Sequence, residues 1–466
     1  METRQNKGLA RSIKTSTTVR MLIIGLIILV LMIPLIFIKD LIRERSERQQ
    51  EVVNEVSTLW GDDVLVMGPI LKVPYFTYTQ STKMVKGSNK VVTERKSKLN
   101  HAYFFPEELH IDAKIDAIKK ERGIYETSVF TSNMDFSGSF KRPDFNSIDV
   151  KQEDVLWKKA TVIIKTSNVK GIKTKIMMKL DDHTTSFLPK YEQGGTTTSA
   201  SAQTVKTYTL ESLPLGQENL FSKDVLAFDT TININGSEKI RFIPIGEQTE
   251  VQMGSNWKDP SFSGAFLPEE DNHKEVGAEG FKAHWTVLQT NRQFGQAFYN
   301  NLPNLKEFAF GTDFLVPVDE YQKSERSVKY GYLVIALTFL VFFLIQTVSG
   351  IQIHPFQYVM IGLVLVMFYT LLLSISEHQN FLRAYLISGA AVICLISLYA
   401  RSILNRIKFL LLVFSSLTAL YTFIFVVIQL ENYALLVGSI GLFVILGTVM
   451  LTTRKIDWSK TEQFVS

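Results

Sequence analysis

The sequence predicts a polytopic α-helical membrane protein, with six transmembrane helices carrying a large, mainly β extracytoplasmic domain. Three observations support that fold class. Six runs of about 17–20 apolar residues recur, each long enough to cross the roughly 30 Å hydrocarbon layer. Residues 39–329 are rich in Lys, Glu, Asp, Ser and Thr, whereas 331–452 hold almost no charge, so one chain is written for two solvents. Lys and Arg are unevenly placed among the short connecting segments, which selects one threading.

The tail, residues 1–20, has Arg4, Lys7, Arg11, Lys14 and Arg20 against a single acid, Glu2. Residues 21–38 form the first transmembrane helix, 18 residues or about 27 Å long. Pro34 falls near its end, where a lipid-embedded helix can re-satisfy the freed carbonyl. The rival reading is a cleaved signal peptide, which needs a small-residue cleavage site. The chain instead runs on as Lys39-Asp40-Leu41-Ile42-Arg43-Glu44. Val52, Val56 and Leu59 at helical spacing carry the first helix out of the bilayer, and Trp60-Gly61 ends it.

Residues 39–330 are the expected extracytoplasmic domain. Short β-branched runs alternate with polar residues at 160–165, 172–180, 230–234, 239–245 and 281–288, separated by Gly, Asn and Asp. A helix is expected over 289–300. The low-complexity run 194–202 reads as a surface loop or a subdomain boundary. Pro69 and Pro74 bracket a short extended segment, because Pro and the residue before it disfavour helix. Trp257, Trp285, Phe262 and Phe266 are expected in the core, and 319–330 as a charged helix leading into the second span.

A five-helix bundle, residues 331–452, follows, with spans at 331–348, 356–375, 384–400, 409–428 and 433–451 and a tail at 453–466. The connections are short, so neighbouring helices run antiparallel. Tyr330, Tyr332, Tyr358, Tyr385, Tyr399 and Tyr433 fall near helix ends, where amphipathic rings favour the membrane interface.

With the first tail in the cytoplasm, six crossings leave the 349–355 and 401–408 loops and the last tail inside as well. Those segments carry eleven basic residues: five in the first tail, then Arg401, Arg406, Lys408, Arg454, Lys455 and Lys460. The short outer loops, 376–383 and 429–432, carry only Arg383. Long domains translocate largely regardless of charge, so the large domain does not enter this count. The expected location is the inner (cytoplasmic) membrane, multi-pass, with both termini cytoplasmic and the domain periplasmic.

A net charge of +5, not gathered into a basic patch with interleaved aromatics, gives no case for nucleic acid. Cys394, in an apolar run, is the single cysteine, which excludes intrachain disulfides, Cys-ligated zinc and thiol catalysis in the polar domain. A domain of this size buries enough apolar surface without such staples. His101, His110, His183, His273 and His284 have no partner at metal-ligand spacing. There is no nucleophile elbow, phosphate-cradling glycine loop or dinucleotide fingerprint. No catalytic residue, metal ligand or cofactor is expected, and no enzyme activity.

The residues that stand out are polar ones in or beside apolar helices, where ionisable groups are expensive and usually functional. Gln346, His354, Glu377 and His378 form a speculative polar membrane site. Gln346 reads first as an interhelical hydrogen bonder. His354-Pro355 opens the third helix, since Pro suits a first turn. Ser376-Glu377-His378 ends that helix, as half of a relay or as a solvated terminus with Glu377 paired to Arg383. Adjacent helical residues do not face one another, so Glu377 and His378 are not a chelating pair. Gly438, Gly441 and Gly447 permit close packing of the last helix, without the small-xxx-small repeat.

Several strings resemble one family. They are Gly68-Pro69-Ile70-Leu71-Lys72-Val73-Pro74-Tyr75, Arg122-Gly123-Ile124-Tyr125-Glu126, the stretch from Ser255-Asn256-Trp257 through Phe266-Leu267-Pro268, and Gly280-Phe281-Lys282-Ala283-His284-Trp285. Val318-Asp319-Glu320-Tyr321-Gln322-Lys323, His354-Pro355-Phe356-Gln357-Tyr358 and the run from Phe368 to His378 continue the match. Together they look like the CreD family of bacterial inner-membrane proteins, called cell-envelope integrity proteins and linked to colicin tolerance. The match spans nearly the whole chain, in order. Gln346 departs from it, standing where the family pattern has Glu, and the 80–100 and 190–205 loops look individual. The resemblance implies a location and a phenotype class, not a reaction. The expected partners are the lipid bilayer and an envelope protein or envelope component bound through residues 39–330. The alternative is a transporter or lipid-handling protein with a polar path through the bundle.

Overall fold

The computed structural model describes residues 17–84, 91–190, 206–270, 275–314, 319–404, 406–430 and 433–454. The expectations for residues 1–16, 194–202 and 455–466, and for His273, lie outside the described residues. Two compact units emerge, Glu51–Val316 and a helical unit of Met1–Gln50 with Pro317–Ser466. The charged helix before the second span thus belongs with the helices, not with the polar domain as the 39–330 boundary had it. The reason is visible in its burial, because Tyr321, Ser324, Ser327 and Val328 are packed inside the helical unit.

Helix α1 (Thr17–Trp60) runs unbroken through Pro34 and the charged stretch beyond. Leu31, Leu35, Ile38 and Ile42 are buried in a stripe at helical spacing, while Leu22, Leu26, Leu29 and Phe37 are exposed. The charged helix α2 (Asp319–Lys329) precedes α3 (Gly331–Ser349), α4 (Pro355–Ser376), α5 (Phe381–Ile403), α6 (Ile407–Gln429) and α7 (Ala434–Thr453). Among the described residues six helices are long and apolar enough to cross a membrane, α1 and α3 to α7. Leu31 of α1 fits against Gly362 of α4, where an added methyl would stand 2.1 Å from it. The bundle centre is aromatic. Phe368 meets Tyr369, Tyr385 and Tyr421 edge to face, with centroids 4.9, 5.2 and 4.7 Å away. Tyr332 and Tyr433 are exposed as interfacial residues should be, but Tyr358 and Tyr385 are buried. Each of these two spends its hydroxyl on a neighbouring helix.

Among the described residues the other unit is built of sixteen strands. The first half comprises β1 (Val64–Met84), β2 (Val91–Phe104), β3 (Glu108–Arg122), β4 (Tyr125–Lys141), β5 (Thr161–Thr166), β6 (Met177–Leu180), β7 (His183–Lys190) and β8 (Tyr208–Ser212). The second comprises β9 (Val225–Ser237), β10 (Lys239–Phe242), β11 (Gln248–Ser255), β12 (Ser261–Gly264), β13 (Glu275–Gly277), β14 (Gly280–Leu288), β15 (Ala297–Tyr299) and β16 (Phe310–Asp313). Alternation decides the faces: along β3, Leu109, Ile111, Ala113, Ile115 and Ala117 point inward and their neighbours outward. One hydrogen-bonded path runs β12-β16-β10-β1-β5-β8-β7-β6-β9-β4-β3-β11-β14-β13. It folds over at β7, so two sheet sections face one another around a shared core. Phe136 of β4 meets Phe242 of β10 at 6.4 Å, and Trp285 of β14 meets Phe310 of β16 at 5.7 Å. Trp257 and Trp285 are buried in this core, with Phe262 and Phe266 packed at its margin.

The helix expected over 289–300 is instead a short 3-10 turn, Gln289–Asn291, followed by β15. Asn291 Oδ1 accepts from Leu288 N at 2.9 Å and breaks helical continuity at the start. Arg292 then turns inward, donating to the carbonyls of Ile245, Gly246 and Phe294 and to Gln296.

Candidate functional site

Gln346 is buried near the end of α3, one short turn in the chain before Tyr358 of α4. Tyr358 donates its hydroxyl to Gln346 Oε1 at 3.0 Å. A buried amide oxygen in lipid needs such a partner, and a facing helix supplies it. His354 has a different task. Its Nδ1 accepts from Phe356 N at 3.2 Å and Gln357 Oε1 accepts from His354 N at 2.9 Å, a reciprocal cap on α4.

Glu377 follows α4 at its other end and meets Arg45 of α1, Oε1 to Nε 3.6 Å. The expected partner, Arg383, instead donates to Gln379 Oε1 at 3.2 Å. The cause is local: Asn380 caps α5 by accepting from Arg383 N, which holds that arginine in the first turn, a helical step from Gln379. His378 is exposed. Tyr358 and Glu377 stand nineteen residues apart on one helix, about 28 Å along its axis. The four residues therefore divide into a Gln346–Tyr358 pair, a cap, and a surface ion pair beside a solvated histidine.

Between those ends lie polar atoms that sequence reasoning missed. Among the described residues the hydroxyls of Tyr369, Tyr421, Ser388, Ser397 and Thr338, with Ser324 and Ser327 of α2, are buried without a hydrogen-bond partner. Tyr385 donates to the carbonyl of Tyr421 at 2.9 Å. Among the described residues no Asp, Glu, Lys, Arg or His of the helical unit is buried. Seven neutral hydroxyls give hydrogen-bonding capacity, not a charge relay. A tyrosine in an apolar run reads equally as core or interface, which is why periodicity did not single these out.

In the β unit several charged groups are paired. Glu211 of β8 is reached by Lys72 of β1 at 2.8 Å, by Lys190 of β7, and by the Thr161 hydroxyl at 2.9 Å. Burial pushes the Glu211 carboxyl up, but hydrogen bonds from Lys190 and Lys72 outweigh it and hold the group at about 2. Burial and the same two lysines push His101 down. Elsewhere Arg241 donates to Asp313 at 3.1 Å, and the Ser263 hydroxyl donates to Asp313 at 2.9 Å. Burial pushes Asp63 up to about 6, against the pull of Lys239 3.9 Å away. Among the described residues no three His, Cys, Asp or Glu side chains gather to hold a metal.

The feature of this unit that stands apart is a two-stranded ribbon. β1 and β2 pair from Leu71↔Phe104 out to Met84↔Val91. β5 and β10 border β1 only as far as Lys72, and β15 borders β2 only over Ala102–Phe104. From Thr77↔Lys98 outward each strand has one neighbour and one open edge among the described residues. Tyr78 is exposed, with the Arg95 guanidinium 3.7 Å over its ring. Residues 76–99 hold Lys83, Lys86, Lys90, Arg95, Lys96 and Lys98 against Glu94. The 80–100 stretch, expected as a loop, is strand over 80–84 and 91–100, because Thr, Val and Tyr favour a pleated backbone.

Six apolar helices and a separate β unit lacking a metal cluster among its described residues define a polytopic membrane protein with a large polar domain. The family model for the inner membrane protein CreD matches residues 16–459, and the chain belongs to that family. The inner membrane protein CreD of Escherichia coli (strain K12) is 29% identical over 441 residues, covering 92% of this chain and 91% of that protein. It is a protein of the inner membrane.

Proposed function

We propose that this chain is a non-enzymatic envelope-integrity protein whose β unit, in the periplasm, binds an envelope protein or envelope component, with both termini cytoplasmic. The ribbon of β1 and β2 carries the proposal. Open strand edges are a binding liability that folded proteins normally cover or blunt, and an added strand is a recurring way to use them. An isolated two-stranded ribbon gains little stability from its own pairing. Its charge, six basic residues against one acid over 76–99, fits a surface for an anionic partner. The eleven-to-one bias of basic residues in the short segments supports the orientation.

The test is a chain in which residues 79–96 are replaced by an Asn-Gly turn, which closes a hairpin without strain. It should insert and accumulate normally, yet fail to restore envelope integrity to cells lacking the protein. A photo-crosslinker at position 79 of the intact chain should give one discrete adduct in whole envelopes. Full restoration by the shortened chain would overturn the proposal.

The second reading, a transporter or lipid-handling protein with a polar path through the bundle, draws on the seven unpartnered hydroxyls among the described residues. The separation of Gln346 from Glu377 and the exposure of His378 weigh against it.

A further inference from the structure

Helix α7 has no buried residue, and along much of its length it does not close against α3. At one level α7 and α6 touch tightly: Gly441 lies so near Phe423 that an added methyl would sit 2.1 Å from the ring. From there toward the end marked by Phe409 and Thr452, the helices part around a groove of about 710 Å³ between α3, α6 and α7. Val341, Leu344, Leu412, Ser416, Val444 and Thr448 are among its walls. Thr448 and Thr452 add little polarity, because Thr448 donates to Val444 O at 2.9 Å and Thr452 to Thr448 O at 2.8 Å, which leaves Thr338 and Ser416 as the polar residues of an otherwise apolar wall. A groove so lined offers few partners for water, and its walls lose dispersion contacts unless an apolar group fills it.

The end of the groove at Phe409 and Thr452 carries charge. Arg406 and Lys408 stand at the start of α6, and Arg454 caps α7, all three exposed. Between residues 381 and 454 the one acid is Glu431, which in the sequence follows the end of α6 and precedes the start of α7. Three cations at one end of an apolar groove about 16 Å long match a molecule with an anionic head and a hydrocarbon tail. A volume of this size suits a specific ligand site.

We propose that the α3–α6–α7 groove is a binding site for an anionic phospholipid, an acyl chain lying along Val341 and Val444 and the phosphate meeting Arg406, Lys408 and Arg454. The site is independent of the ribbon and of what the ribbon binds. The lipid completes the packing of α7, and zwitterionic lipids, lacking net negative charge, hold more weakly.

The experiment uses the full chain, purified in mild detergent, delipidated, and titrated with phosphatidylglycerol or phosphatidylcholine under native mass spectrometry. The unmodified chain should bind phosphatidylglycerol about tenfold more tightly than phosphatidylcholine, roughly the effect of one good charge-assisted contact. Arg406→Gln, Lys408→Gln and Arg454→Gln together should erase that preference. Those three residues are on the surface, so the variant keeps its fold. Ser416→Trp, filling the groove, should reduce binding of both lipids. Equal affinity for the two lipids, an unchanged preference in the triple variant, or a dimer in place of lipid adducts would each overturn the proposal.

Discussion

Tyr358 gives its hydroxyl hydrogen to Gln346 across 3.0 Å, and both side chains are buried in the contact between α3 and α4. Removing one partner leaves the other unsatisfied in an apolar medium, whereas removing both does not. Gln346→Leu and Tyr358→Phe should each lower stability in detergent by about 1 kcal/mol. The double variant should lose less than the sum, which thermal unfolding of the four proteins in a mutant cycle will measure.

The β unit, expressed as residues 51–316, should fold alone as a sheet-rich protein, since its core is its own. Its stability should peak between about pH 3.8 and pH 4.5, by the opposite shifts of two carboxyls. Glu211 is held down at about 2, so its stabilisation is complete above its ordinary 4.5 and is lost as pH falls toward 2. Asp63 is pushed up to about 6, so the fold favours its protonated form and gains stability as pH falls through 6 toward 3.8. Asp63→Asn should flatten the rise between pH 7.5 and 5 in urea unfolding. Glu211→Gln should flatten the acid limb and cost on the order of 3 kcal/mol at neutral pH, because Lys72 is left buried without its carboxylate.

Gly441 and its neighbours make a graded test of α7. Gly441→Val drives a side chain into Phe423 and should lower the melting temperature in detergent by several degrees. Gly438→Ala and Gly447→Ala meet nothing within 4 Å and should leave it unchanged or slightly raised.

Glu377→Gln, His378→Gln and Arg383→Gln should leave insertion and envelope phenotype intact. The Glu377–Arg45 pair is partly exposed, and such pairs contribute about 0–1 kcal/mol. Loss of phenotype in the Glu377 and His378 variants at normal expression, with Arg383→Gln silent, would mean these groups form a relay.

Much of this architecture is legible from hydropathy, because lipid and water impose opposite compositions on the chain. Gln346 was visible as a polar residue in an apolar run. Its partner was not, since a tyrosine near a helix end reads as an interfacial anchor. The Glu377 partner lies on α1, more than three hundred residues away, and local spacing favours the nearer Arg383. The turn that replaces the 289–300 helix depends on Arg292 reaching carbonyls of another segment, which periodicity does not encode. The ribbon was hidden because residues 77–80 and 95–99 bury no apolar face. Gly441 stood out beside two glycines that do nothing comparable, while Gly362, which seats Leu31, was passed over.

A reporter active only outside the cytoplasm, fused in turn after positions 195, 380, 405 and 466, tests the central claim most directly: the β unit faces the periplasm and both chain ends face the cytoplasm. Signal at 195 and 380, with none at 405 or 466, is the predicted result. Signal at 466, or silence at 195, would contradict the threading on which the proposed role in the envelope depends.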